Sequence, residues 1–183
     1  HGNDLRNLPT GENERAGVPF YVLPHDQNQG MGAISLSNVR VLPDGREVGR
    51  RGDHPTAVEE IPVRRRVGRL AFLHMAGFSH KLSQYAKPRM AEYVVNYRNG
   101  GRDVIPVRSG QEVVNWWTDW ARDLPNAKLA WKGGNLRTET GAVFMVEWAN
   151  PFPERAVESV TFRSCANPAW GPSLIALSGL EIE

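Results

Sequence analysis

Six tryptophans, Trp116, Trp117, Trp120, Trp131, Trp148 and Trp170, are the side chains of this sequence best suited to hold a ligand. An indole face packs against the axial C–H groups of a sugar ring and leaves the hydroxyls free for polar partners. The same ring is equally good core filler. Trp148 stands in an alternating apolar run, which predicts the core. Trp131 follows Leu129 with a one-residue gap, which puts both on one inward strand face. An extended chain turns one of Trp116 and Trp117 in and the other out. A helix would instead align Trp116 with Trp120 and offset Trp117. Trp170, in the sequence NPAWGP, stands on a rigid turn and is the better candidate for an exposed platform.

Two loops add polar chemistry. Phe78, Ser79, His80, Lys81, Gln84 and Tyr85, with Arg89 just beyond, combine rings, an imidazole and cations. Sugar hydroxyls need such a mixture of donors and acceptors. The plainer reading is a solvated loop with Phe78 tucked beneath it. Residues 24–32 gather His25, Asp26, Gln27, Asn28 and Gln29. Asp26 and Asn28 are weak candidate oxygen ligands for a structural calcium ion; a plain turn would read the same.

Other chemistries are poorly served. His74, inside LAFLHMAG, reads as a satisfied core histidine, and no HxH or HExxH spacing supports zinc. The carboxylate pairs Glu12/Glu14 and Glu59/Glu60 are adjacent in sequence, whereas a glycosidase needs two carboxylates opposed across a bond. No G-x-S-x-G motif accompanies Ser79 and His80. The single cysteine, Cys165, excludes an intrachain disulfide and reads as a small buried hydrophobe.

The elements that must position these residues are strands. Residues 90–98, 102–108, 142–148 and 156–163 are short apolar runs with β-branched and aromatic residues at period two, bounded by Gly, Asn and Pro. Asn99, Gly100 and Gly101 fit a hairpin connection between the first two. Further strands are expected at 18–23, 33–42, 58–63, 67–75, 127–131 and 174–182. The run at 67–75 is almost continuously apolar and therefore central. Residues 111–123 fit either a helical turn or a strand extension. Residues 1–17 read as a lead-in and 18–183 as a single module. Short strands at this spacing, without a long helical period, predict a two-sheet antiparallel sandwich.

Composition agrees with one globular domain. The chain has 183 residues, 40% hydrophobic and 23% charged, with 22 basic and 20 acidic side chains giving a net charge of +2. So small and evenly mixed a charge argues against a nucleic-acid surface. The one basic run, Arg64, Arg65 and Arg66, reads as the solvated end of two adjoining strands. The longest apolar stretch, 70–76, is far too short to span a membrane. The polar, loop-like opening reads as part of a longer polypeptide.

The phrases AGVPF (16–20), LAFLHMAG (70–77), EYVVNYRNGGRDVIPVRSG (92–110), NWW (115–117), AW (130–131) and VEWANPFPERAVESVTF (146–162) occur in an order that resembles the galactose-binding-domain-like β-sandwich modules of large bacterial polysaccharide-degrading proteins. Asn99 stands where that pattern has an aspartate, which keeps the turn but removes a carboxylate. The resemblance implies an all-β, antiparallel jelly-roll sandwich with a non-catalytic, carbohydrate-binding role. Its expected partners are a polysaccharide or oligosaccharide and a neighbouring catalytic domain of the same polypeptide, with no nucleic acid and no membrane. It implies an extracellular or periplasmic setting and no cofactor beyond a possible structural calcium. The expected ligand-binding residues are Trp170, Tyr85, His80, Arg89 and Trp117. The alternatives are a structural spacer packing on a neighbouring domain and, less favoured, a sandwich-fold polysaccharide lyase or esterase.

Overall fold

The computed structural model describes residues 4–37, 40–48, 53–77, 87–118, 121–165 and 171–181. These residues form antiparallel sheets, with a single 3-10 turn at Asn28–Gly30 as their only helical element. No described helix is long and apolar enough to cross a membrane.

The strands are β1 (Gly11–Arg15), β2 (Val18–Val22), β3 (Ile34–Ser35), β4 (Arg40–Val41), β5 (Glu47–Val48), β6 (Ala57–Arg65), β7 (Arg69–Gly77), β8 (Arg89–Tyr97), β9 (Arg102–Arg108), β10 (Lys128–Gly133), β11 (Gly141–Ala149), β12 (Val157–Ser164) and β13 (Gly171–Leu180). One sheet has the order β10-β11-β7-β13-β3, and the facing sheet has β6-β12-β8-β9. β1 and β2 form a separate hairpin, as do β4 and β5.

Alternation explains the layering. On β7, Leu70, Phe72 and Ala76 face the four-stranded sheet and join Tyr93, Val95, Val160 and Phe162 in the main core. The rings of Phe72, Tyr93 and Phe162 stack in sequence, with centroids 4.0 and 4.8 Å apart. The opposite face of β7 is also buried. Ala71 and Leu73, with Val143, Met145 and Ile175, lie under Leu8, Val18, Phe20 and Val22. The β1–β2 hairpin is thus a third layer, and a strand covered on both faces is almost continuously apolar.

Several expectations change in detail. The expected lead-in contains β1, paired residue by residue with β2. The polar sequence GENER hides this strand; its partner supplies the apolar face. Trp131 was expected to share an inward face with Leu129, but the register shifts between them. The bulge turns Leu129 toward the main core and Trp131 toward the outer cluster. The described part of 111–123 is neither helix nor regular strand. It crosses from β9 to the five-stranded sheet, where Trp116 N–H donates to Ala76 C=O at 2.8 Å and Ala142 N–H donates to Trp116 C=O at 2.8 Å. Trp116 is buried and Trp117 is exposed, as an extended chain requires. Trp148 is half-buried against the main core.

His74 is buried at 2% exposure, with Nε2 2.9 Å from the Glu112 carbonyl and Nδ1 3.0 Å from the Tyr93 hydroxyl. A carbonyl can only accept, so Nε2 carries the proton and Nδ1 accepts from Tyr93. The expected satisfied core histidine is present, and burial pushes its pKa down to about 4.

Candidate functional site

Strand direction sorts the loops into two ends. At one end Gly77 pairs with Gly171, Arg89 pairs with Arg108, and the 109–117 segment bridges the sheets. Arg89 and Trp117 lie here. His80, Tyr85 and Trp170 lie outside the described residues, as does Trp120; the chain flanking them, at Gly77, Arg89, Cys165 and Gly171, ends at this same side.

Arg89 is committed to a partner. Its Nη1 donates to Glu92 Oε2 at 2.7 Å, while Arg163 pairs with the other oxygen of the same buried carboxylate. Trp117 is 39% exposed and lies tilted against Trp116, with ring centroids 5.7 Å apart. This end is organised by Glu112, a residue that sequence reasoning did not single out. Its carboxylate accepts from Arg108 Nη2 at 2.6 Å and Asn126 Nδ2 at 2.7 Å. Burial pushes its pKa up, but the Arg108 and Asn126 hydrogen bonds outweigh that and hold it below the usual value. Asp26 and Asn28 are exposed in the loop before β3, where the Asn28 amide donates to the Met31 carbonyl at 2.9 Å. Among the described residues no group of three or more His, Cys, Asp or Glu side chains is placed to hold a metal ion.

The opposite end holds an open cleft of about 830 Å3 lined by Arg64, Arg65, Arg66, Arg98, Asn99, Glu154, Arg155 and Ala156. Three connections build it: β6 to β7, β8 to β9, and β11 to β12. Asn150 ties them together. Its Nδ2 donates to Val67 C=O at 2.9 Å, and its Oδ1 accepts from Phe152 N–H at 3.0 Å. The buried Tyr97 hydroxyl lies 2.8 Å from that Oδ1 and 2.7 Å from Asp103 Oδ2. Burial and the Asp103 carboxylate push the Tyr97 pKa well up, so it stays a neutral strut. Arg98 N–H donates to Ala156 C=O at 2.9 Å, which fixes the second connection against the third.

The arginines are held apart and aimed. Glu158 takes Arg98 Nε at 2.8 Å and stands 3.9 Å from Arg64 Nε. Arg65 Nη2 donates to Gly179 C=O; a Cβ on Gly179 would stand 2.9 Å from that nitrogen, so glycine permits the approach. Arg155 lies over the Phe152 ring at 4.1 Å from its centroid. Phe152 is also edge-on to Tyr97, with centroids 6.0 Å apart. Arg66 is exposed and makes no hydrogen bond or ion pair with a described residue.

A second depression, also about 830 Å3, lies beside β3. Leu5, Leu8, Val22, Leu23, Ile34, Val58 and Ile175 make it largely apolar, and Asp4, Arg6, His25, Ser35 and His54 stand among its lining. Arg6 binds Asp4 through two nitrogens at 2.7 Å and holds its carboxyl down at about 2. Met31, on its lining, is 57% exposed.

Only the Arg64–Arg65–Arg66 run gave a sequence signal for the cleft. Arg98, Phe152 and Arg155 join it through strand pairing, which the order of residues does not display. No protein-family model matches this chain, and no curated protein matches it as a relative.

Proposed function

We propose that this chain is a non-catalytic carbohydrate-binding module of a larger carbohydrate-active protein, acting outside the cytoplasm. The observation that carries this reading is the cleft built by three loop connections at one end of the stacked sheets. It is fixed by the Asn150 hydrogen bonds and lined by guanidinium groups and an amide. Guanidinium groups and the Asn99 amide nitrogen supply donors, and the Glu154 carboxylate and the Asn99 amide oxygen supply acceptors, the mixture that hydroxyl groups require. Successive strands from β6 onward alternate between the two sheets singly or in pairs, which is compatible with a jelly-roll, galactose-binding-domain-like connectivity. Affinity would be modest, because a sugar exchanges water hydrogen bonds for protein ones at small net gain. Attachment to a catalytic domain then raises the local substrate concentration.

Affinity electrophoresis of the purified chain against neutral and acidic plant and algal polysaccharides, with and without calcium, tests the proposal. Retardation by at least one polysaccharide, weakened by Asn150→Ala, is the expected result. Retardation weakened by Trp117→Ala and unaffected by Asn150→Ala would move the site to the opposite end, beside Arg89. A folded, monomeric chain that no polysaccharide retards would refute the proposal. It would favour a spacer that packs on a neighbouring domain, a reading supported by the apolar depression around Met31.

A further inference from the structure

The geometry points to an acidic polysaccharide, one bearing sulfate or carboxylate groups, as the ligand of the cleft; this rests on the carbohydrate-binding reading above. Five guanidinium groups meet there against the carboxylates of Glu154 and Glu158. The excess of three positive charges is larger than the +2 of the entire chain, so the remainder of the protein is net negative. A neutral sugar gives no reason for this concentration of like charge, which is costly without a counter-anion. Arginine rather than lysine throughout also matters. The planar guanidinium binds the paired oxygens of a carboxylate or sulfate through two parallel hydrogen bonds.

The backbone holds the arrangement under strain. Arg64 sits at φ 55, in the left-handed region that a side-chain-bearing residue avoids, where the pairing of β6 with β12 is irregular. Arg65 is anchored to Gly179 and Arg98 to Glu158, while Arg66 has no described partner. Arg66 can therefore take an incoming anion without first breaking an ion pair to a described residue. The neighbouring surface favours a polysaccharide over a nucleic acid. Beyond Arg64 it carries Glu60 and Glu158 beside Pro62 and Ser159, so the positive region ends within one short cleft. A nucleic-acid strand needs a longer basic track, and its regularly spaced phosphates would meet those carboxylates.

The test is calorimetric titration of the full chain with four probes of similar length: a sulfated galactan oligosaccharide, an oligogalacturonate, a neutral galacto-oligosaccharide and an oligothymidylate. The expected result is binding of the sulfated or the carboxylated probe at least about tenfold tighter than the neutral one, weakening as salt is raised. Which of the two binds names the anion. Arg66→Gln combined with Arg98→Gln should weaken that binding about tenfold or more. Arg46→Gln, outside the cleft lining and with the same charge change as Arg66→Gln alone, should leave it unchanged. If the double variant fails to fold, Arg66→Gln alone, which breaks no described contact, carries the test. Equal binding of neutral and acidic sugars, indifferent to the arginine substitutions, would overturn the acidic assignment and leave the carbohydrate-binding reading standing. Binding of oligothymidylate alone, or of no probe, would overturn both.

Discussion

Lowering the pH from about 7.5 to about 5 should cost the folded state about 2 kcal/mol through His74 alone. In the native protein its ring is neutral, because both nitrogens are engaged in a buried site, and its pKa falls from 6.5 to about 4. In the unfolded chain the imidazole recovers its ordinary value. Between those two values the unfolded state binds more protons, so stability is fully present above pH 6.5 and declines as the pH falls toward 4. The full shift corresponds to about 3 kcal/mol, and roughly 2 of that is already lost at about pH 5. The carboxylates whose pKa the fold lowers, Asp4, Asp44, Glu112 and Asp123, have ordinary values of 3.8 to 4.5 and act chiefly below this window. Urea unfolding at the two pH values should be compared with the double substitution His74→Leu and Tyr93→Phe. The second change keeps the ring stack while removing the hydroxyl that would otherwise be left without an acceptor. The double variant should lose about 2 kcal/mol less than the parent over this interval. Equal losses in the two proteins, or an NMR titration of His74 near pH 6.5 in the folded state, would refute the reasoning.

Other perturbations follow from particular contacts. Asn150→Ala removes three side-chain hydrogen bonds at the cleft, and urea unfolding should show a loss of about 2–3 kcal/mol. Glu112→Gln leaves the half-exposed Arg108 without its counter-charge and should cost about 2 kcal/mol by the same measurement, after discounting for solvent screening. Ala16 and Gly17 form the β1–β2 turn at φ 48 and 83. Ala16→Asn, which tolerates that conformation, should raise stability by about 0.5 kcal/mol, seen as a higher Tm. Phe20→Ala, on the inward face of the same hairpin, should cost about 3–4 kcal/mol.

The strands that sequence reasoning located best are those whose apolar residues alternate or run together. β9 coincides with the expected 102–108, and β8 and β11 differ from expectation by a residue or so at their ends. Periodicity reports burial: β8 and β11 are buried along most of their length, and β9 buries Ile105 and Val107 at alternate positions. β1 escaped notice because its five residues are mostly polar, and only pairing with β2 makes it a strand. Alternation predicts the inward face for Trp131, but a bulge changes the parity of a strand without any mark in composition. The arginine cleft was hidden for a different reason. Arg66, Arg98 and Arg155 are far apart along a chain whose charges look evenly mixed, and only the fold brings them together.

The irregularities in the outer strands have a collective consequence for how copies of this protein behave beside one another. Each of the two large sheets ends in backbone that could recruit a foreign strand. β3 is only two residues long, and β10 is bulged at Ala130. β9 carries Pro106, which has no N–H to offer. β6 places Glu60 and Arg64 in left-handed conformations within a charged stretch. None presents a long, flat, uncharged ladder. Copies of this protein crowded together would therefore resist zipping into an intermolecular sheet along these edges.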